Sequence, residues 1–155
     1  MTSLHHRIRA AAVAIVLSGI PSISYAQPAP PARPWKEGSV LTVSHIRTLP
    51  GQTENYMRYI WGDYAKLMNA EKDAGIITNW SVYTAVPRTA NDPDVILVTV
   101  YPNMAALDGL SDRTRPIAQR VLGLTPEQSA ARTADRERMR KTLGSDLLRQ
   151  QVASP

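Results

Sequence analysis

The chain has 155 residues, with 18 basic and 13 acidic side chains, a formal net charge of +5 and no cysteine. This length allows one domain with a modest apolar core. The lack of cysteine excludes disulfides and, with only three histidines, leaves almost no capacity for a structural zinc site. The small basic excess is spread along the sequence, so we expect neither nucleic acid nor an anionic membrane surface as a partner.

Residues 1–26 have the three-part pattern of a secretory signal peptide. Arg7 and Arg9 lie in a basic n-region, the apolar run Ala10–Ile20 is too short to span a bilayer, and "SISYA" places small residues before a cut after Ala26. The alternative is an N-terminal membrane anchor, which the break at Pro21 disfavours. We therefore expect export, a periplasmic or secreted mature protein, and no stable membrane insertion.

The mature part is predicted to begin with a proline-rich tether, residues 27–37, followed by a single domain over residues 38–153. Its first strand is predicted over Ser39–Leu49, a stretch rich in β-branched residues. Alternation puts His45 and Arg47 on one face and Ile46 on the other. Neither face is wholly polar, which favours a central position in a sheet. His45 is the only histidine outside the leader.

A long amphipathic helix is predicted over Gln52–Ala74, after a turn at Pro50-Gly51 and with Gly75 as its C-terminal cap. Its apolar stripe recurs at spacings of three and four, and includes Tyr56, Ile60 and Tyr64. No phenylalanine occurs in the sequence, so every aromatic ring carries a polar group. Such rings suit ligand grooves and interfaces, although a codon bias against phenylalanine explains the composition equally simply.

Two further strands are predicted over Ile76–Val86 and Val95–Tyr101, joined by a polar loop. The second is a continuous apolar run, which predicts burial on both faces. Asn103 is predicted to cap a short helix that continues past Pro116 to Gly123.

The segment Thr125–Gly144 is predicted to be a helix with a capping box at Thr125 and Gln128 and with Gly144 at its end. The arginines of this segment are most simply a solvated helix face. Residues Asp146–Ala153 are predicted to be a last strand, with a frayed helix as the alternative.

The predicted order is β-α-β-β-α(α)-β, with two β-α-β units joined by a hairpin. This order indicates an α+β protein of the ferredoxin-like, split βαβ type, with an antiparallel sheet and helices on one face. Both faces of the central strands carry apolar residues, so a second copy is the simplest cover for the open face. We therefore expect a homodimer through the sheet face.

The stretches "VSHIRTLPGQTENYMRYI", "AGIITNWSVYTA" and "DVILVTVYPNMAALDGL" resemble the small dimeric α/β-barrel proteins that include the antibiotic-biosynthesis-type monooxygenases and their exported relatives. The resemblance covers about Val40 to Leu110 and rests on turn and packing signals. It implies a dimeric α/β barrel and, as one possible activity, cofactor-independent oxygenation or isomerisation of an aromatic or polyketide-like substrate.

The chain departs from the relatives that use an asparagine, a tryptophan and a histidine around one pocket. The region Asn103–Gly123 has no histidine, and the adjacent residues Asn79 and Trp80 of the second strand point to opposite faces. We therefore expect no haem of that type, and more generally no metal and no cofactor.

The candidate site is a pocket between the first helix and the sheet, bounded by His45, Tyr56, Tyr64 and Trp80. His45 is the candidate catalytic residue, because imidazole is well suited to proton transfer near neutral pH; an ordinary strand histidine is the alternative. No nucleophile motif or glycine-rich phosphate loop is present. The sequence therefore favours an exported dimer that binds a small, partly apolar ligand, with the oxygenase- or isomerase-type enzyme as the alternative.

Overall fold

The computed structural model describes residues 33–154. These residues form four strands and four α-helices, together with one π-helical and one 3-10 turn. The elements are β1 (Trp35–Thr48), α1 (Thr53–Tyr59), the π-turn (Ile60–Tyr64), α2 (Ala65–Asp73), β2 (Asn79–Thr84), β3 (Val95–Tyr101), the 3-10 turn (Met104–Leu107), α3 (Leu110–Leu122), α4 (Pro126–Glu137) and β4 (Arg140–Ala153). The predicted signal peptide lies outside the described residues.

The four strands form one sheet in the order β2-β3-β1-β4, and every neighbouring pair is antiparallel. β1 and β3 occupy the centre, as predicted. This is the ferredoxin-like arrangement, and the prediction of an α+β fold of that type is confirmed.

The helices pack on one face of the sheet and bury two neighbouring apolar clusters against it. One cluster joins Val40 and Tyr101 of the sheet to Met68 of α2 and Ile117 of α3. The other joins Ile46, Val95 and Leu97 of the sheet to Tyr56 and Ile60. The predicted stripe of the long helix is thus the face that packs on the sheet.

The opposite face of the sheet is apolar at its centre and half-exposed. β3 alternates strictly between buried residues on the helix side and half-buried ones on this face, including Val98 and Val100. Val43 of β1 lies directly opposite Val98. β3 was predicted to be buried on both faces. Within the described chain it is buried only on the helix side, because none of the described helices covers its other face.

The C-terminal region differs from the predicted long helix. The capping box at Thr125 and Gln128 forms as predicted, but α4 ends at Glu137 and β4 begins at Arg140. None of the residues of α4 is buried, so packing adds little to continue the helix. Pairing with β1 along almost its entire length favours the extended form instead. Gly144, predicted to cap the helix, lies in β4 beside a β-bulge with a φ of 154°.

β1 is also longer than predicted, because it begins at Trp35 within the stretch assigned to the tether. Trp35 pairs with Ala153, so the start of β1 runs along the end of β4. Within residues 33–154, no helix is both long enough and apolar enough to cross a membrane.

Candidate functional site

A π-helical turn interrupts the long helix and changes which residues face the sheet. In this turn the Ala65 N–H donates to the Ile60 carbonyl, an i to i+5 bond. Five residues make about 1.4 turns of an ordinary α-helix, which would point Tyr59 and Tyr64 in different directions. The wider turn brings them to the same side, with ring centroids 6.4 Å apart. Single π-turns within α-helices occur frequently at functional sites.

Both tyrosines line a cavity of about 300 Å³ between the helices and the sheet. Its apolar wall is formed by Ile46, Leu67 and Leu97. Its polar wall carries hydroxyl groups and two guanidinium groups, from Ser44, Tyr59, Tyr64, Thr99, Thr142, Arg136 and Arg140. An apolar wall with a few convergent polar groups is the usual construction of a small-molecule site. We call this space the helix–sheet cavity.

The two arginines come from the end of α4 and the start of β4. Arg136 Nη1 donates to the Tyr59 hydroxyl at 2.9 Å, and Arg140 Nη1 donates to the Tyr56 hydroxyl at 2.9 Å. Each guanidinium also lies 5.5 Å from the centroid of the same tyrosine ring, within cation–π range.

A third arginine, one helical turn earlier, extends this row without reaching the cavity. Arg132 of α4 forms an ion pair with Asp63 of the π-turn. Arg132, Arg136 and Arg140 thus join α4 and β4 to Asp63, Tyr59 and Tyr56 of the long helix. The expectation of a solvated arginine face is wrong for Arg136 and Arg140, which are half-buried, whereas Arg132 is exposed as expected. The spacing of four between Arg132 and Arg136 was the available signal, because it places side chains on one side of a helix.

Tyr64 is a protonated phenol at neutral pH. Burial raises its pKa to about 12, an effect that the neighbouring Thr99 side chain partly offsets. The Tyr64 ring meets the Trp80 ring edge-on at 5.9 Å, and Trp80 Nε1 donates to Asn69 Oδ1 at 2.9 Å. Tyr64 therefore offers the cavity a fixed hydroxyl group and not a negative charge.

His45 is separated from the three aromatic residues with which it was predicted to share a pocket. Ile46, its neighbour on β1, is buried against Tyr56 and Ile60, and successive strand side chains point to opposite faces. His45 therefore faces the side of the sheet that the described helices leave open. There His45 Nε2 lies 2.9 Å from Asp146 Oδ2 of β4, and its side chain is 31% exposed.

The other predicted site residues lie on the helix side of the sheet. Tyr64 lines the helix–sheet cavity directly. Tyr56 is fully buried beneath it, with its hydroxyl on Arg140, and burial raises its pKa. Trp80 supports Tyr64 from β2 and does not line the cavity.

A solved structure resembles this fold at low sequence identity. The crystal structure of HapK from Hahella chejuensis aligns with 72% of this chain and 91% of its own, at 15% identity and a TM-score of 0.48. No family model matches the sequence, and no curated protein does so.

The wall of the cavity is polar and positively charged on one side. None of the described residues that line it is an acid or a histidine, so the wall holds donors and positive charge but no ordinary general base. The one described histidine has its carboxylate partner on the other face of the sheet. The polar wall of the cavity and the histidine therefore lie on two different faces of the sheet.

Proposed function

We propose that the protein is an exported homodimer that binds a small, partly apolar ligand in the helix–sheet cavity. The observation that carries the proposal is the cavity itself, whose walls combine three aliphatic side chains with converging hydroxyl and guanidinium donors. Its volume of about 300 Å³ is at the lower end of the range for small-molecule sites. This size fits a ligand of one or two rings.

Closing the cavity at its rim tests the ligand-binding proposal. Thr142 lines the cavity and is exposed, so Thr142→Trp should obstruct the entrance without disturbing the core. A panel of one- and two-ring aromatic and alicyclic compounds should raise the melting temperature of the unaltered protein but not of Thr142→Trp. Lys141→Trp is the matched control, because Lys141 precedes Thr142 on the strand and does not line this cavity. Equal binding to the obstructed variant, or no binding by any compound, would refute the proposal.

The dimer in this proposal is supported by the half-buried apolar centre of the open sheet face. Val43, Val98 and Val100 lie on it, and none of the described helices covers them. Covering such a patch with a second copy removes apolar area from water, which favours association.

Export is supported by the leader pattern of residues 1–26. N-terminal sequencing of protein recovered from the source cell should begin at Gln27. Recovery of an intact leader in the membrane fraction would contradict the proposal.

A second candidate function is a cofactor-independent oxygenase or isomerase acting on an aromatic or polyketide-like substrate. The contact between His45 and Asp146 favours it, because a carboxylate that orients a histidine is a recurrent part of acid–base sites. A partner on the sheet face would shield this pair from water.

Substitution of His45 distinguishes this second function from a structural role. His45→Ala should abolish oxygen uptake or isomerisation with the aromatic panel, and should change the melting temperature little because the pair is partly exposed. Asp135→Asn, which breaks another exposed pair, is the control. A large drop in melting temperature with unchanged ligand binding would identify His45 as structural.

A further inference from the structure

The guanidinium groups of Arg136 and Arg140 have hydrogen-bond donors without acceptors, and positive charge that is not fully neutralised, within the described residues. An arginine side chain has five N–H donors. Arg136 uses its two Nη atoms on the hydroxyls of Tyr59 and Thr133, and Arg140 uses its own on the Tyr56 hydroxyl and on Glu137 Oε1. The Nε atoms of both arginines are buried and have no hydrogen-bond partner within residues 33–154.

The balance of charge at the cavity is also incomplete. Glu137, which is 54% exposed, lies 3.4 Å from Arg140 and partly neutralises it. Arg136 has no carboxylate within 4.0 Å among the described residues. Buried donors are nearly always paired, and buried charges need a counter-charge. The tyrosine rings stabilise the two cations through their faces but supply no anion.

We propose that the helix–sheet cavity binds an organic carboxylate, with the carboxylate held by Arg136 and Arg140 and the ring or chain packed on Ile46, Leu67 and Leu97. This inference rests on the proposed ligand-binding function and names its substrate class. The remaining N–H groups of two neighbouring guanidiniums match the two oxygens of one carboxylate. The protonated Tyr64 hydroxyl adds a neutral donor. The unpaired Nε atoms show that the two guanidinium groups lack partners within the described chain. Solvent does not reach these Nε atoms, so the Nη atoms would contact the carboxylate.

The size of the cavity limits the ligand further. About 300 Å³ accommodates one carboxylate attached to a compact apolar body. Aryl carboxylates and short branched or alicyclic acids meet these conditions. Dicarboxylates do not, because the second charge would lie against the aliphatic wall.

A matched acid and amide test the inference on the unaltered protein. 2-Naphthoate and 2-naphthamide have nearly the same shape and differ in charge. Calorimetric titration at neutral pH should give at least about tenfold tighter binding for 2-naphthoate, because hydrogen bonds to a charged group are stronger than neutral ones. Equal affinity for the two compounds would overturn the inference but leave the ligand-binding function standing. Binding of neither compound would contradict both.

Arginine variants locate the charge recognition. Arg136→Gln and Arg140→Gln should each weaken 2-naphthoate binding by about tenfold or more and leave 2-naphthamide binding nearly unchanged. Arg132→Gln is the control, since it removes an arginine of the same row that pairs with Asp63 and does not line the cavity. Unchanged 2-naphthoate binding in both cavity variants, or an equal loss in Arg132→Gln, would overturn the assignment. If Arg140→Gln fails to fold, Arg136→Gln and the acid–amide comparison still decide the question.

Discussion

Glu71 is a carboxyl group that the fold buries. It is 6% exposed on α2, and burial raises its pKa above the ordinary glutamate value. Between that ordinary value and the raised one, the unfolded chain releases a proton that the folded chain retains. Ionisation therefore costs stability as the pH rises through this window, and the cost persists at neutral pH.

We expect Glu71→Gln to increase the free energy of unfolding at pH 7, because the amide resembles the protonated carboxyl that the fold prefers. The gain should diminish as the pH falls towards 4.5, the unperturbed value. Urea titrations at several pH values measure this gain.

Glu127→Gln should behave in the opposite way. The pKa of Glu127 is lowered by hydrogen bonds at the start of α4, so its carboxylate stabilises the fold at pH 7 and loses that effect in acid. A loss of stability in Glu71→Gln at pH 7 would contradict this account.

Among the secondary-structure elements, α4 is stabilised by its N-terminal capping box and by contacts of its arginines, and not by buried apolar side chains. None of its residues is buried, whereas its first turn has a complete capping box and two of its arginines reach the long helix. The local stability of α4 should therefore be more sensitive to polar substitutions than that of any helix with an apolar face.

Thr125→Ala tests the dependence of α4 on its cap. The substitution removes the acceptor of the Gln128 N–H and should destabilise the helix by about 1 kcal/mol. Amide hydrogen exchange should become faster over residues 126–137 and remain nearly unchanged in β1 and β3. Thr133→Ala, in the middle of the same helix, should have a smaller effect. Uniformly faster exchange throughout the domain would show that α4 does not unfold separately.

The elements that could be predicted from the sequence are those whose apolar residues recur at one regular spacing along the whole element. Prediction failed where tertiary contacts outweighed the local sequence pattern. β1, β3 and the long helix are examples of success, and the capping box at Thr125 formed where expected. The π-turn was not predictable, because the stripe of Tyr56, Ile60 and Tyr64 also fits an unbroken α-helix. The alternation of β1 correctly placed His45 and Ile46 on opposite faces of the sheet. Alternation alone does not predict on which of the two faces the helices pack. Arg136 and Arg140 were missed because inward-facing arginines depend on tyrosine partners far away in sequence.

For the whole molecule, the open sheet face leads to a prediction about assembly. The unaltered protein should give about twice the monomer mass in light scattering at micromolar concentration, and Val98→Asp should give the monomer mass. Val98 is half-buried within the chain and would be fully buried beneath a partner, where an unpaired charge costs several kcal/mol. Val86→Asp is the control, because Val86 is 92% exposed. A monomeric unaltered protein would contradict the dimer.

The π-turn makes the helix–sheet cavity tolerant of both the replacement and the loss of a residue within the turn. A side chain added at Gly62 would meet no atom within 4 Å, so the identity of this residue matters little. Loss of one residue between Ile60 and Tyr64 would let the turn close into a regular α-helix, in which Tyr59 and Tyr64 are four positions apart and still lie on the same side. A relative of this protein that is one residue shorter there would keep the sheet, the helices and both tyrosines at the binding site.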